Sequence, residues 1–187
     1  MGHQAADTPL RMSHPEFRRW ADAQPRGRYE RVDCVVVRMA AERVGHVRAK
    51  VRAWRTLDRA VRAAGLSCEA LGDGVTVEVD DNTDYEPDAL VNCGPRLADN
   101  EISAPNPVVV VEVLSPSTQS VDTGLKLSGY FQVPSIRHYL IVRADRRAVV
   151  HHQRRDDGGI ETRLPTAGSI TLDPPGIGFA LEEFYAD

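Results

Sequence analysis

VVVVEVLSPSTQSVDTGLKLSGY, residues Val108 to Tyr130, decides the fold. Four valines run into Glu112, and Val113 and Leu114 follow. A run this short, apolar and β-branched is the pattern of a central strand covered on both faces. Ser115-Pro116-Ser117-Thr118 breaks it, and Asp122 to Tyr130 then reads as a helix. Along that helix Asp122, Lys126 and Tyr130 stand at i, i+4 and i+8 and share one face. An ionised carboxylate inside such a strand costs on the order of several kcal/mol unless it is paired or holds a metal. Glu112 therefore needs a partner. A strand glutamate followed by a helix that carries lysine and tyrosine on one stripe is an active-site layout, and a buried Glu112–Lys126 ion pair is the plain structural alternative.

Outward from this stretch, 187 residues with 42% hydrophobic and 27% charged content suit one soluble domain with a sizeable core. The net charge of −4 and a pI near 5.9 exclude a globally basic nucleic-acid binder, so any such binding relies on local patches. No apolar run approaches the roughly 20 residues of a membrane helix, and the first residues lack the apolar centre of a signal peptide. A cytoplasmic protein is expected. Cys34, Cys68 and Cys93 are odd in number and widely spaced, which predicts buried reduced thiols rather than a zinc knuckle or disulfide framework.

Residues 1–12 are polar and aperiodic and read as a flexible tail, leaving 13–187 as a single domain. Ser13-His14-Pro15-Glu16 is a capping box that opens a short helix with Phe17, Trp20 and Ala21 on its apolar side. Tyr29 to Met39 predicts a strand or hairpin on which Glu30, Val32 and Cys34 point the same way. Glu42 to Ala64 is the longest helical pattern, with Val47, Val51, Trp54 and Val61 on one face and Gly65 as its stop. Arg48, Arg52, Arg55, Arg59 and Arg62 form a basic stripe beside it. Such a stripe is usually a solvated face, but guanidinium forks also match phosphate oxygens. Strands are expected over 66–71, 75–79, 88–91, 138–142 and 148–153, with weaker ones over 160–164 and 170–172. Asp80 to Asp84 reads as a solvated acidic turn, and Phe179 to Tyr185 as a short amphipathic segment that caps the core.

Asp88 and Glu112 sit on sequential predicted strands, which neighbour one another about two-thirds of the time. Paired, they bring two hard anionic oxygens to one sheet end, a donor set for Mg²⁺ or Mn²⁺. Lys126 is placed to orient or deprotonate a water and to stabilise charge on a phosphate, with Glu30 as a further ligand or base. Adjacent His151 and His152 point to opposite faces of a strand and cannot share a metal. His46, near the start of the long helix, and His138, in an apolar strand, read as structural.

Tyr29-Glu30-x-Val32-Asp33, Pro87-Asp88, Val111-Glu112-Val113-Leu114-Ser115-Pro116-Ser117-Thr118 and Asp122-x-x-x-Lys126-x-x-x-Tyr130, in that order, resemble the Uma-two family. Its members are described as bacterial endonucleases of the restriction-endonuclease-like PD-(D/E)XK superfamily. The resemblance spans roughly Glu16 to Val150. It implies an α/β (α+β) fold, a mixed central sheet flanked by helices, and metal-dependent hydrolysis of DNA phosphodiesters. It further implies that Asp88 and Glu112 are metal ligands, that Glu30 and Lys126 complete the catalytic set, and that Asp122, Tyr130 and Ser115 support it. Arg48, Arg52, Arg55 and Arg59 would then contact DNA, for which a homodimer would suit a duplex. Two positions depart from the pattern. Leu114 occupies the place of the superfamily lysine, and Cys34-Val35 replaces a glycine-glutamate pair. These departures leave a second expectation, a nuclease fold that binds nucleic acid or a protein partner without cutting. A metal hydrolase acting on a small phosphoester is a third.

Overall fold

The computed structural model describes residues 9–114 and 122–186, apart from the side chains of Asp122 and Thr123. The elements are α1 (His14–Asp22), β1 (Tyr29–Val32), β2 (Val35–Arg38), α2 (Val44–Ala64), β3 (Cys68–Gly72), β4 (Val77–Asp80), β5 (Thr83–Tyr85) and β6 (Ala89–Cys93). They continue as β7 (Pro107–Leu114), α3 (Asp122–Tyr130), β8 (His138–Arg143), β9 (Val149–Arg154), β10 (Ile160–Arg163), β11 (Ser169–Leu172) and β12 (Ile177–Ala180), closed by a 3-10 turn over Leu181–Phe184. The expected mixed sheet with flanking helices is present. Six strands run in the order β10-β9-β8-β7-β6-β3, four in the order β2-β1-β5-β4, and β11 pairs with β12 alone. Among the described residues no helix is long and apolar enough to cross a membrane.

β7 is the axis of the six-stranded sheet. It pairs antiparallel with β6, Ala89 beside Val111, and parallel with β8, Glu112 beside Ile141. A parallel pair needs a crossover connection, and α3 lies in it. Strand alternation then divides the core. Val109, Val111 and Val113 pack with Ala49, Ala53 and Leu57 of α2, whereas Val110 packs with Tyr130, Tyr139 and Ile141. The strand is buried on both faces, and Val110, Glu112 and Leu114 belong to the α3 side.

Local chemistry accounts for the entry to the second sheet. Glu16 accepts hydrogen bonds from the backbone N–H and the hydroxyl of Ser13, which fixes the start of α1. β1 and β2 form a hairpin whose two turn residues, Asp33 and Cys34, both have positive φ, 49° and 66°. A two-residue turn with two left-handed residues matches the strand twist and favours glycine. The glycine of the family pattern at the position of Cys34 has this physical reason. Leu10 to Met12 lie along β2, where Val36 donates to Leu10 and Met12 donates to Cys34.

Several sequence expectations are corrected. α2 does not pack through Val47, Val51 and Trp54, which are exposed. Its buried face is Ala49, Lys50, Ala53, Thr56, Leu57, Ala60 and Val61. Alanines let the helix approach the sheet closely, and Trp54 instead donates from its indole Nε1 to the Ala70 carbonyl on the edge strand β3. Asp84 is not solvated. It is buried in β5 and ion-paired at 2.7 Å with Arg31, which is itself fully buried. Cys68 and Cys93 are register partners across β3 and β6 and form a disulfide, so of the three expected buried thiols Cys34 alone is free, and it is half-buried. Strand register brought these cysteines together, and no short spacing announces it.

Close approach makes one glycine indispensable. A Cβ on Gly129 of α3 would lie 2.6 Å from the Tyr85 ring, whereas one on Gly124 of the same helix would meet nothing within 4 Å. Helix propensity favours alanine at either position by up to about 1 kcal/mol. Gly124→Ala should therefore raise stability by that amount, while Gly129→Ala should lower it by about 1–3 kcal/mol through overpacking. Urea midpoints at constant m-value measure both.

Candidate active site

The site lies where the two larger sheets meet. Glu112 projects from β7 toward α3, and there its Oε1 accepts from Lys126 Nζ at 3.0 Å and from Tyr130 Oη at 2.6 Å. The i, i+4 spacing on α3 puts both donors on one carboxylate. Lys126 Nζ also reaches Glu30 Oε1 on β1 at 2.8 Å, so one buried ammonium ties the four-stranded sheet to the six-stranded one. The backbone N–H of Glu86 donates to the same Glu30 oxygen at 2.9 Å. Tyr85 sets its ring 5.4 Å from the Lys126 nitrogen.

Asp88 precedes β6 and is latched to β7. Its own N–H donates to Val111, and its Oδ2 accepts the N–H of Val113 at 2.6 Å. Its Oδ1 lies 2.7 Å from Lys50 Nζ on α2. Lys50 also reaches Asp73 at 3.0 Å and pairs with Glu42. Arg28 joins the network with Asp73 at 2.6 Å, Glu86 at 3.0 Å and Glu42 at 3.6 Å. Six carboxylates (Glu30, Glu42, Asp73, Glu86, Asp88, Glu112) thus face three cations (Arg28, Lys50, Lys126). With every group ionised the network carries an excess of three negative charges, 6 − 3.

At Glu30, Asp88 and Glu112 burial raises the carboxyl pKa values. Desolvation lifts Glu112 above the usual carboxylate range, Lys126 opposes the rise, and the negative charge of Asp88 adds to it. Glu30 is lifted by burial against Lys126, with Glu112 adding repulsion. Asp88 is lifted by burial against Lys50, and the charge of Lys126 reaches it as well. Burial lowers the Lys50 ammonium, but Asp88, Glu42 and Asp73 together hold it above its ordinary value. Tyr130 stays a phenol far above its usual range, first through burial and then through Glu112. Buried acidic oxygens with surplus negative charge are a donor set for a hard divalent cation.

A family model described as "Putative restriction endonuclease", Uma2, matches residues 14–182. The chain belongs to the Uma2 family. It is 27% identical over 181 residues to "Uncharacterized protein slr1290" of Synechocystis sp. (strain ATCC 27184 / PCC 6803 / Kazusa), covering 94% of this chain and 92% of that one. A crystal structure described as a "putative nuclease belonging to DUF820" from Anabaena variabilis ATCC 29413 superposes with a TM-score of 0.70 at 13% identity, covering 93% of this chain and 97% of that one. The fold is restriction-endonuclease-like.

Of the residues expected at the site, Glu30, Asp88, Glu112, Lys126 and Tyr130 are brought together. Ser115 lies outside the described residues, as does the side chain of Asp122. The arginine stripe stands elsewhere on α2. Helical spacing sets Arg48, Arg52, Arg55 and Arg59 roughly 140–180° around the helix from Lys50. Arg52 donates to the Phe184 carbonyl, Arg59 pairs with Glu183 and Arg62 with Asp58, while Arg48 and Arg55 are exposed. His46, read as structural, comes within 4.0 Å of Asp88. His138 and His151 hydrogen-bond at 2.9 Å, whereas His152 stacks on Tyr139, so the adjacent histidines do face opposite ways.

Lys50 was missed, together with its partners Glu42 and Asp73. A signal for it exists in composition. The chain has 23 basic residues, only two are lysines, and these are Lys50 and Lys126. A chain that writes arginine 21 times (23 − 2) and lysine twice places both lysines in one buried site. A compact ammonium donates to several carboxylates from one atom, whereas a guanidinium spreads its donors over a planar fork.

Removing the Lys126 ammonium leaves Glu30 and Glu112 buried without a counter-charge. Lys126→Met should cost about 3–5 kcal/mol at pH 7. Both carboxyl pKa values are already raised in the fold, and this variant raises them further. Protonation then favours the folded state, so the loss should shrink as pH falls toward the folded pKa values and deepen as pH rises. Urea unfolding at pH 7 and pH 5 checks the sign, and Lys126→Met with Glu112→Gln should recover part of the loss at pH 7.

Proposed function

We propose that this protein is a divalent-metal-dependent nuclease that hydrolyses phosphodiester bonds of DNA. The observation that supports the reading is the Lys126 ammonium, which holds the buried carboxylates of Glu30 and Glu112 and whose charge also reaches the buried Asp88 at the start of the neighbouring strand. Asp88 and Glu112 would hold Mg²⁺ or Mn²⁺, which when bound supplies Lewis acidity and lowers the pKa of a water. The other roles belong to the chain. Lys126 is the ammonium available to stabilise negative charge on a phosphate, and Glu30 holds it from the second sheet. Tyr130 fixes the orientation of Glu112, and the Val113 N–H fixes that of Asp88.

Leu114 stands where the superfamily pattern has lysine, and this departure motivates the rival role of a binding module. The 3.0 Å contact from Lys126 to Glu112 supports the active reading instead, because an ammonium reaches the strand carboxylate from α3. Charge, not chain position, is what the chemistry needs.

Glu112→Gln should reduce Mg²⁺- or Mn²⁺-dependent nicking of supercoiled plasmid to background while circular dichroism stays unchanged. Undiminished cleavage by this variant would overturn the reading, and DNA binding with no calorimetric signal for either metal would establish the binding module in its place. Arg48 and Arg55, two exposed members of the stripe, are proposed as phosphate contacts away from the cutting site. Replacing both with alanine should weaken duplex binding and reduce the slope of log K against log salt by about 2. An unchanged slope would point to a small phosphoester as substrate.

A further inference from the structure

We infer that Lys50 is a built-in cation that takes the position of a second metal ion and limits the site to one divalent cation. The inference rests on the proposed metal-dependent reading and concerns a residue outside the family pattern. An ammonium has three N–H donors. Lys50 Nζ has three carboxylates around it: Glu42, Asp73 at 3.0 Å and Asp88 at 2.7 Å. Donor number and acceptor number match, as they do around a coordinated ion.

Asp88 is the shared group. Its Oδ1 faces Lys50, while its Oδ2 accepts the N–H of Val113, the residue after Glu112 on β7. Two-metal phosphodiesterases place their ions about 3.5–4 Å apart. Here one oxygen of Asp88 is taken by an ammonium, at 2.7 Å, where a second ion would share it. The ligands for a second ion are nevertheless in place. Glu42, His46 and Asp88 present ligand atoms that all lie within 4.8 Å of one another, and the buried Nδ1 of His46 has no hydrogen-bond partner among the described residues. Lys50 sits among them. It is buried, on the packed face of α2, in a chain that otherwise uses arginine for 21 of its 23 basic positions.

Without the ammonium the network excess would grow from three to four negative charges, and the Glu42–His46–Asp88 set would be open to a metal. Lys50→Met keeps the unbranched side chain up to Cε and removes its charge; Lys50→Arg keeps the charge. Mn²⁺ bound per folded chain, counted by electron paramagnetic resonance of the unbound ion, reads the outcome without reference to activity. The expected counts are one for the wild type, one for Lys50→Arg and two for Lys50→Met, falling back to one when Glu42→Gln is added to Lys50→Met. If Lys50→Met does not fold, Lys50→Gln, which retains hydrogen-bond donors, should show the same count of two. Two ions on the wild type, or one on a folded neutral variant, would overturn the inference and leave the nuclease reading standing. No ion on the wild type would overturn that reading and the inference with it.

Discussion

An ionised carboxylate in a strand that is buried on both faces sets the terms for everything around it. Glu112 has apolar neighbours before and after it, Val111 and Val113, so its charge must be met from above the sheet. Lys126 and Tyr130 meet it from one turn-spaced face of α3, and Glu30 reaches the same ammonium from another sheet. The parallel pairing of β7 with β8 is what puts a helix there at all, since the crossover has to return over the sheet. Fold and site therefore share one cause.

The polar groups close into a ring. From Glu112 it runs through Lys126 to Glu30, by the Glu86 backbone to Arg28, then through Asp73 and Lys50 to Asp88, and by the Val113 N–H back to β7. Its members come from β1, β7, α2 and α3 and from connecting segments that hold Arg28, Asp73, Glu86 and Asp88. Buried networks of this kind contribute little net stability compared with apolar packing, yet breaking one member exposes the rest to uncompensated burial. This ring keeps more acid than base, and desolvation lifts its Glu30, Asp88 and Glu112 carboxyl groups. Such an arrangement is expected where a cation is to be taken up.

Much of this was readable from residues alone. The valine run and the Lys126–Tyr130 spacing gave the central strand, the crossover helix and their contact, because alternation and the 3.6-residue turn are local rules. Asp88 was readable because a proline marks the strand start before it. Lys50 was not. Its helix shows a more apolar face through Val47, Val51 and Trp54, and periodicity weighs side-chain hydrophobicity without knowing that small alanines permit closer approach. Asp84 was lost among neighbouring acids for a similar reason, since only the tertiary fold brings Arg31 to it across 53 positions. The Cys68–Cys93 link depends on strand register over 25 residues, which composition does not encode. Scarcity of lysine is the compositional clue that would have led to Lys50.

That scarcity also allows a direct test. Protein labelled with ¹⁵N only in lysine carries two side-chain nitrogens, one on each side of the carboxylate cluster. The account predicts that one equivalent of Mn²⁺ broadens both Nζ resonances beyond detection and that Mg²⁺ shifts both without broadening them. Two Nζ resonances that stay sharp and unmoved through several equivalents of either ion would contradict it.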